Sequence, residues 1–166
     1  MVTICHHGVV ARSTNTQFAV AVHVLTYLAA GTAAGRTTPV GSEELAGSTA
    51  VNPVHVRKVL GPLREAGLTR SRPGAHGGWE LAVDPASVTL AQVWIALQGE
   101  DPVLGIHGPN PSCAVGNSIQ GVLVGLERRV ADAIVAELDS ISLADVLDEG
   151  GFDRADFAAL DDIASA

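Results

Sequence analysis

His55, Arg57 and Lys58 stand within one turn of each other, directly after Asn52-Pro53. Asn is a preferred helix cap and Pro a preferred first-turn residue, so a helix opens here with two cations and an imidazole near its amino-terminal end. Cations so placed can grip phosphate oxygens, and an arginine can pair two hydrogen bonds with a guanine edge. Arg64, Arg70 and Arg72 suit phosphate, as does Arg12 before the first helix. The run Pro73-Gly74-Ala75-His76-Gly77-Gly78 is a turn whose bare backbone, with His76 and Gly77 at its tip, could approach a nucleic-acid wall.

A second chemistry belongs to sulfur. The chain has two cysteines, Cys5 and Cys113. Cys113 lies in a Pro/Gly-rich loop with His107, and a thiol becomes reactive beside a cation or a helix amino terminus. A helix read from about Asn117 supplies the second, which nominates Cys113 as a sensor; simple packing under the loop is the alternative, because free cysteine is among the most buried residue types. Cys5-His6-His7 are adjacent and poorly placed to ligate one ion together, so they read as part of a loose arm.

Other chemistries lack their residues. There is no Gly-x-Ser-x-Gly elbow, no Gly-Lys-Ser/Thr phosphate loop, no Gly-x-Gly-x-x-Gly after a strand and no His-Glu-x-x-His. The expectation is therefore a non-enzyme. Two cysteines are too few for a disulfide framework or a four-cysteine zinc site, and aromatic residues at 4% are too sparse for a single-strand stacking platform. The longest apolar stretch, Phe18 to Ala30, is interrupted by His23 and Thr26 and falls short of a bilayer span. With no signal-peptide pattern at the start, a cytoplasmic location is expected.

Charge is distributed unevenly. Of the 166 residues, the first 80 hold seven Arg/Lys against four Asp/Glu, and the remainder three against fourteen, within a net charge of −8. A basic half beside an acidic half suits one part that meets a polyanion and one that stays off it. At 47% hydrophobic and 17% charged residues, the composition fits one compact domain with an appended interaction element.

The elements that must position these groups follow from periodicity. Thr14 to Ala30 repeats apolar residues at helical spacing, with His23 read as a core or interface histidine. Ser42 to Gly47 is a short helix begun by Glu43 and Glu44. Pro53 toward Ala66 carries the stripe Val56, Val59, Leu60 and Leu63, with a kink or early end expected at Gly61-Pro62. Leu68–Arg72 and Trp79–Val83 form a hairpin, and Val88 to Leu97 a further helix capped near Thr89. From Asn117 to Leu138, the residues Ile119, Leu123, Leu126, Val130, Ile134 and Leu138 make a stripe that needs a partner, a second subunit being the natural one. Ser142 to Leu147 gives a short last helix. Trp79 and Trp94 read as core, and Trp94 could wall an apolar effector pocket beside the long helix.

The blocks Glu44-Leu45-Ala46, Asn52 to Leu60, Leu63 to Leu68, Gly77 to Ala82 and Val88-Thr89-Leu90 together resemble the Rrf2 family of bacterial winged-helix transcription regulators. The likeness extends from about Ser13 to Leu147. It implies a mainly α fold with a small β-hairpin wing, a winged helix-turn-helix joined to a long dimerisation helix. The implied organisation is an arm at 1–11, a DNA-binding domain at 12–98, a sensor loop at 99–116, a dimerisation helix and short last helix at 117–147, and an acidic tail at 148–166. It further implies a homodimer on a palindromic double-stranded operator, with Ser42, Asn52, His55, Arg57, Lys58, Arg64, Arg72, His76 and Gly77 at the DNA. Some members hold an iron–sulfur cluster on three loop cysteines. This loop has only Cys113, in Asn110-Pro111-Ser112-Cys113-Ala114-Val115-Gly116, and resembles the single-cysteine, redox-responsive subgroup. No cofactor is expected, and an oxidant or small-molecule effector is. The competing readings are a winged-helix protein-interaction module and a metal or iron–sulfur regulator with non-cysteine ligands.

Overall fold

The computed structural model describes residues 13–99 and 101–152. Arg12, Cys5 and the arm, together with the tail from residue 153, lie outside them. Helix α1, Ser13–Ala33, is apolar on nearly every side from Val20 to Ala30 and is buried accordingly. It runs one turn past the expected end, because Gly31 is enclosed and the Thr32 hydroxyl donates to the Leu28 carbonyl. His23 is exposed rather than in the core, its Nε2 3.0 Å from the Ser48 hydroxyl.

Helices α2, Ser42–Thr49, and α3, Pro53–Glu65, pack on α1. Leu25, Leu45, Leu60 and Leu63 are fully enclosed at their junction, each worth about 2 kcal/mol relative to exposure. The break expected at Gly61-Pro62 does not occur: α3 continues through Pro62. Proline leaves the Lys58 carbonyl without its helical donor and costs about 3 kcal/mol. Burial of Leu63 and a Schellman close offset this, with Gly67 at φ 76° and the Leu68 amide donating to the Leu63 carbonyl at 2.9 Å.

Strands β1, Thr69–Arg72, and β2, Gly78–Leu81, pair antiparallel, with Arg70 opposite Glu80 and Arg72 opposite Gly78. The wing is fastened to the helices by a bridge the sequence pattern does not reveal. Val40 and Trp79 exchange both backbone hydrogen bonds, at 2.9 and 2.8 Å. After a 3-10 turn at Pro85–Ser87, α4, Leu90–Gln98, opens with a Thr89/Gln92 capping box.

Helix α5, Ala114–Asp139, starts three residues earlier than periodicity suggests, and none of its residues is buried. The chain then returns to the winged domain. Helix α6, Leu143–Gly150, inserts Leu143 into the core and reaches into the stretch read as tail. Its capping box places the Asp145 carboxylate on the Ser142 hydroxyl and amide, which hold that carboxyl below its ordinary value. No helix among the described residues is long and apolar enough to cross a membrane.

Candidate nucleic-acid interface

The outward face of α3 is built from its cap upward. Asn52 Oδ1 accepts the Val54 amide at 2.8 Å, satisfying one of the orphan donors at the helix start. With Val56, Val59, Leu60 and Leu63 buried, the helical period turns Val54, Arg57 and Lys58 outward, and all three are exposed. Arg64 is exposed on the last turn of the same helix. The turn from α2 is made at Ala50, which adopts φ 54°, a left-handed position unusual for a residue with a Cβ.

Behind this face a partly buried corner fixes α2 against α1. Both guanidinium nitrogens of Arg36 meet the Glu44 carboxylate, the second at 2.9 Å, and the Tyr27 hydroxyl donates to the same group at 2.8 Å. At such a corner the bidentate geometry adds orientation as well as energy.

Three of the residues assigned to DNA from the sequence are placed differently. Ser42 is 7% exposed and its hydroxyl accepts the Trp79 indole N–H at 3.2 Å, so its side chain joins wing to helix and does not face out. His55 is half-buried with its Nε2 enclosed, so that nitrogen is not presented to a ligand. Gly77 is half-buried too, and its amide donates to the Gly74 carbonyl at 2.9 Å. A Cβ on Gly77 would stand 2.1 Å from the Arg72 carbonyl oxygen. Glycine is needed there to close the wing turn. His76 is exposed at the tip, and Arg70 and Arg72 are exposed on β1.

Two carboxylates on this face escape a reading of the sequence. Glu80 takes Arg70 Nε at 2.7 Å and Arg72 Nη2 at 3.1 Å. Glu43, read only as a helix-starting charge, meets Arg57 Nη1 at 3.4 Å. The hairpin register would have found the first, since a turn centred on residues 73–77 sets Arg70 across from Glu80.

Cys113 is exposed and is the amino-terminal cap of α5, its Sγ accepting the Gly116 amide at 3.3 Å. The preceding turn is tied by Asn110 Oδ1, which accepts from the Ser112 amide and hydroxyl, and by the Asn117 side chain donating to the Pro111 carbonyl. Further back, Glu127 accepts the amides of Val103 and Leu104, both at 2.6 Å, and pins the loop to α5. Trp94 meets Phe18 edge-on at 5.5 Å. Together with Val130, Ile134 and Leu138 they line an open apolar groove of about 600 Å³.

Helix, turn, helix and hairpin wing around this basic face define a winged helix-turn-helix transcription regulator. The chain belongs to the Rrf2 family, whose sequence model, described as an iron-dependent transcriptional regulator, matches residues 14–149. It is 36% identical over 134 residues to YwnA of Bacillus subtilis (strain 168), named as an HTH-type transcriptional regulator; the match covers 80% of this chain and 96% of that one. A crystal structure described as a DNA-binding protein superposes with a TM-score of 0.62 at 34% identity, covering 79% of this chain and 98% of the other. A transcriptional regulator from Lactobacillus plantarum gives a TM-score of 0.69 at 25% identity, covering 90% and 98%. The mainly helical fold with its wing and the DNA-binding, regulatory class expected from the sequence are thereby borne out.

Iron, named in the family description, finds no ready ligand set. Among the described residues no three His, Cys, Asp or Glu side chains converge to hold a metal, and Cys113 stands with a backbone amide as its partner. These residues do not fit a cluster or ion held by one subunit.

Proposed function

We propose that the protein is a cytoplasmic, homodimeric, non-enzymic repressor that seats α3 of each copy in successive major grooves of a palindromic operator, with the wing against the flanking backbone. The single observation that carries this is the Asn52-capped helix with its apolar stripe buried and Arg57 and Lys58 outward. Recognition helices on one face of a duplex require half-sites about 34 Å apart. Base contact is assigned to Arg57, phosphate contact to Lys58, Arg64, Arg70 and Arg72, and a tip contact to His76.

Arg57→Ala is expected to lower discrimination between operator and unrelated duplex by about 1–3 kcal/mol, the range of one base-reading arginine. Gel shifts with the gene's own upstream region measure it; unchanged affinity and unchanged preference would reject this placement of α3.

The dimer is supported by α5. Val115, Ile119, Val122 and Leu126 recur at i, i+4, i+7 and i+11 on one side of the helix and are exposed, Val115 by 75%. The groove beside Trp94, lined from α5 by Val130, Ile134 and Leu138, is read as part of the same interface.

Control is assigned to the Cys113 thiol, exposed at the start of this helix, with an oxidant as signal and no metal cofactor. Cys113→Ser is expected to bind the operator as the reduced wild type does and to keep binding after peroxide or diamide, whereas the wild type changes affinity. Identical responses of the two proteins to oxidant would remove thiol control from the proposal.

A further inference from the structure

We propose that Glu80 and Glu43 set specificity: they are carboxylates built into the DNA-facing surface that hold its arginines and keep them from gripping arbitrary phosphate backbones. The inference rests on the reading that this surface meets duplex DNA.

Recognition helix and wing carry five cations, Arg57, Lys58, Arg64, Arg70 and Arg72, and three of them face a carboxylate within 4.0 Å. Glu80 is the tighter clasp. Its side chain is only 15% exposed, and it receives Arg70 on one oxygen and Arg72 on the other, while the two arginines remain 61% and 56% exposed. The register explains the geometry, since Arg70 is directly opposite and Arg72 lies two residues toward the tip on the same face. The Glu43–Arg57 pair is looser and open, with side chains 78% and 49% exposed.

Stability accounts for little of the open Glu43–Arg57 pair, because exposed ion pairs contribute only about 0–1 kcal/mol, and at Glu80 the two guanidiniums stay largely in water although the carboxylate does not. The pairs' effect on a polyanion is larger. Non-specific binding scales with the number of phosphates neutralised and the counter-ions so released, and an arginine already holding a carboxylate is subtracted from that number. A carboxylate close to the duplex also repels phosphate. At a matching site the subtraction is smaller. A guanidinium has five N–H donors in a fixed fork, so Arg72 or Arg57 can keep its glutamate and still aim the remaining donors in one direction. Glu43, exposed beside Arg57, can itself accept from a cytosine amino group. The carboxylates thus weaken random binding more than operator binding, and specificity is that difference.

The test uses the full chain, with Glu80→Gln and Glu43→Gln compared with wild type by fluorescence anisotropy. The duplexes are a random-sequence DNA and the footprinted upstream region, each titrated at several NaCl concentrations. Glu80→Gln is expected to tighten random-duplex binding about tenfold and to steepen its log–log salt slope by about 0.9 for each arginine released. Operator affinity rises less, so the operator-to-random ratio falls. Unchanged or weaker random binding, an unchanged slope or an unchanged ratio would overturn the proposal. If Glu80→Gln loses the wild-type circular dichroism spectrum, Glu43→Gln carries the test, with one arginine released and the same direction of change. A wild type that binds no duplex at all defeats the reading of the surface, whereas a wild type that binds beside unmoved variants defeats this inference alone.

Discussion

Val122→Asp is expected to split the proposed dimer into monomers and to lower operator affinity by about 10²–10⁴-fold. Val122 is 65% exposed on α5, in the centre of the Val115–Ile119–Val122–Leu126 stripe, on a helix with no buried residue. In a lone subunit the new carboxylate stands in water at little cost. Pressed against the apolar stripe of a second copy it would be buried without a partner, and uncompensated burial of a charge costs several kcal/mol. A dimer on a palindrome binds its second half-site at a high effective concentration set by the first, and separating the subunits forfeits that multiplication, which is the origin of the fold-change given. Sedimentation or light scattering reads the mass, and a gel shift with the upstream region reads the affinity. A wild type that is itself a monomer, or a Val122→Asp variant that stays a dimer, would reject α5 as the dimer face.

Gly78→Ala destabilises the fold by about 3 kcal/mol, the upper end of the usual overpacking cost. At this chain length that is a melting temperature lowered by roughly 10 °C. The added Cβ would lie 2.5 Å from the Val40 carbonyl oxygen, 2.7 Å from its carbon and 3.0 Å from its nitrogen. All three are backbone atoms, which no rotamer change can move aside. Relief requires Val40 and Trp79 to part, which loses their two backbone bonds and shifts the indole that donates to Ser42. The wing would then come loose from the helices it serves, so DNA binding falls with stability. Gly47→Ala is the control, because a Cβ there would meet nothing within 4 Å and alanine is the better helix former. Melting curves of the two variants decide the point: a Gly78→Ala protein as stable as Gly47→Ala would mean that the Val40 bridge does not anchor the wing.

The recognition helix could be read directly because its signals are local. Asn52-Pro53 starts it, four apolar residues at helical spacing orient it, and the residues left over face out. The Thr89 and Ser142 caps and the period of α5 are legible for the same reason. What failed depended on atoms distant in sequence. Gly77 and Gly78 read as a permissive tip, yet Gly78 is required by Val40, thirty-eight residues earlier. Ser42, which the family resemblance puts at the DNA, is covered instead by Trp79, thirty-seven residues later. Pro62 read as a break because the cost of a proline inside a helix is local, whereas the burial of Leu63 that offsets it is gained only when the helix packs on the core.

Capping, periodicity and turn chemistry act across a few residues, so the chain's own order is enough to specify the winged topology, the outward cations and the helical period of α5; which side of α5 stays open is decided by packing, since Leu123, Val130, Ile134 and Leu138 of the expected stripe are half-buried while Val115 and Val122 outside it are exposed. Pairings between strands and across the core act over tens of residues, and only their mutual packing decides them. The assignment of Ser42 to Trp79 and the bridge from Val40 to Trp79 that makes Gly78 obligatory therefore belong to the folded molecule.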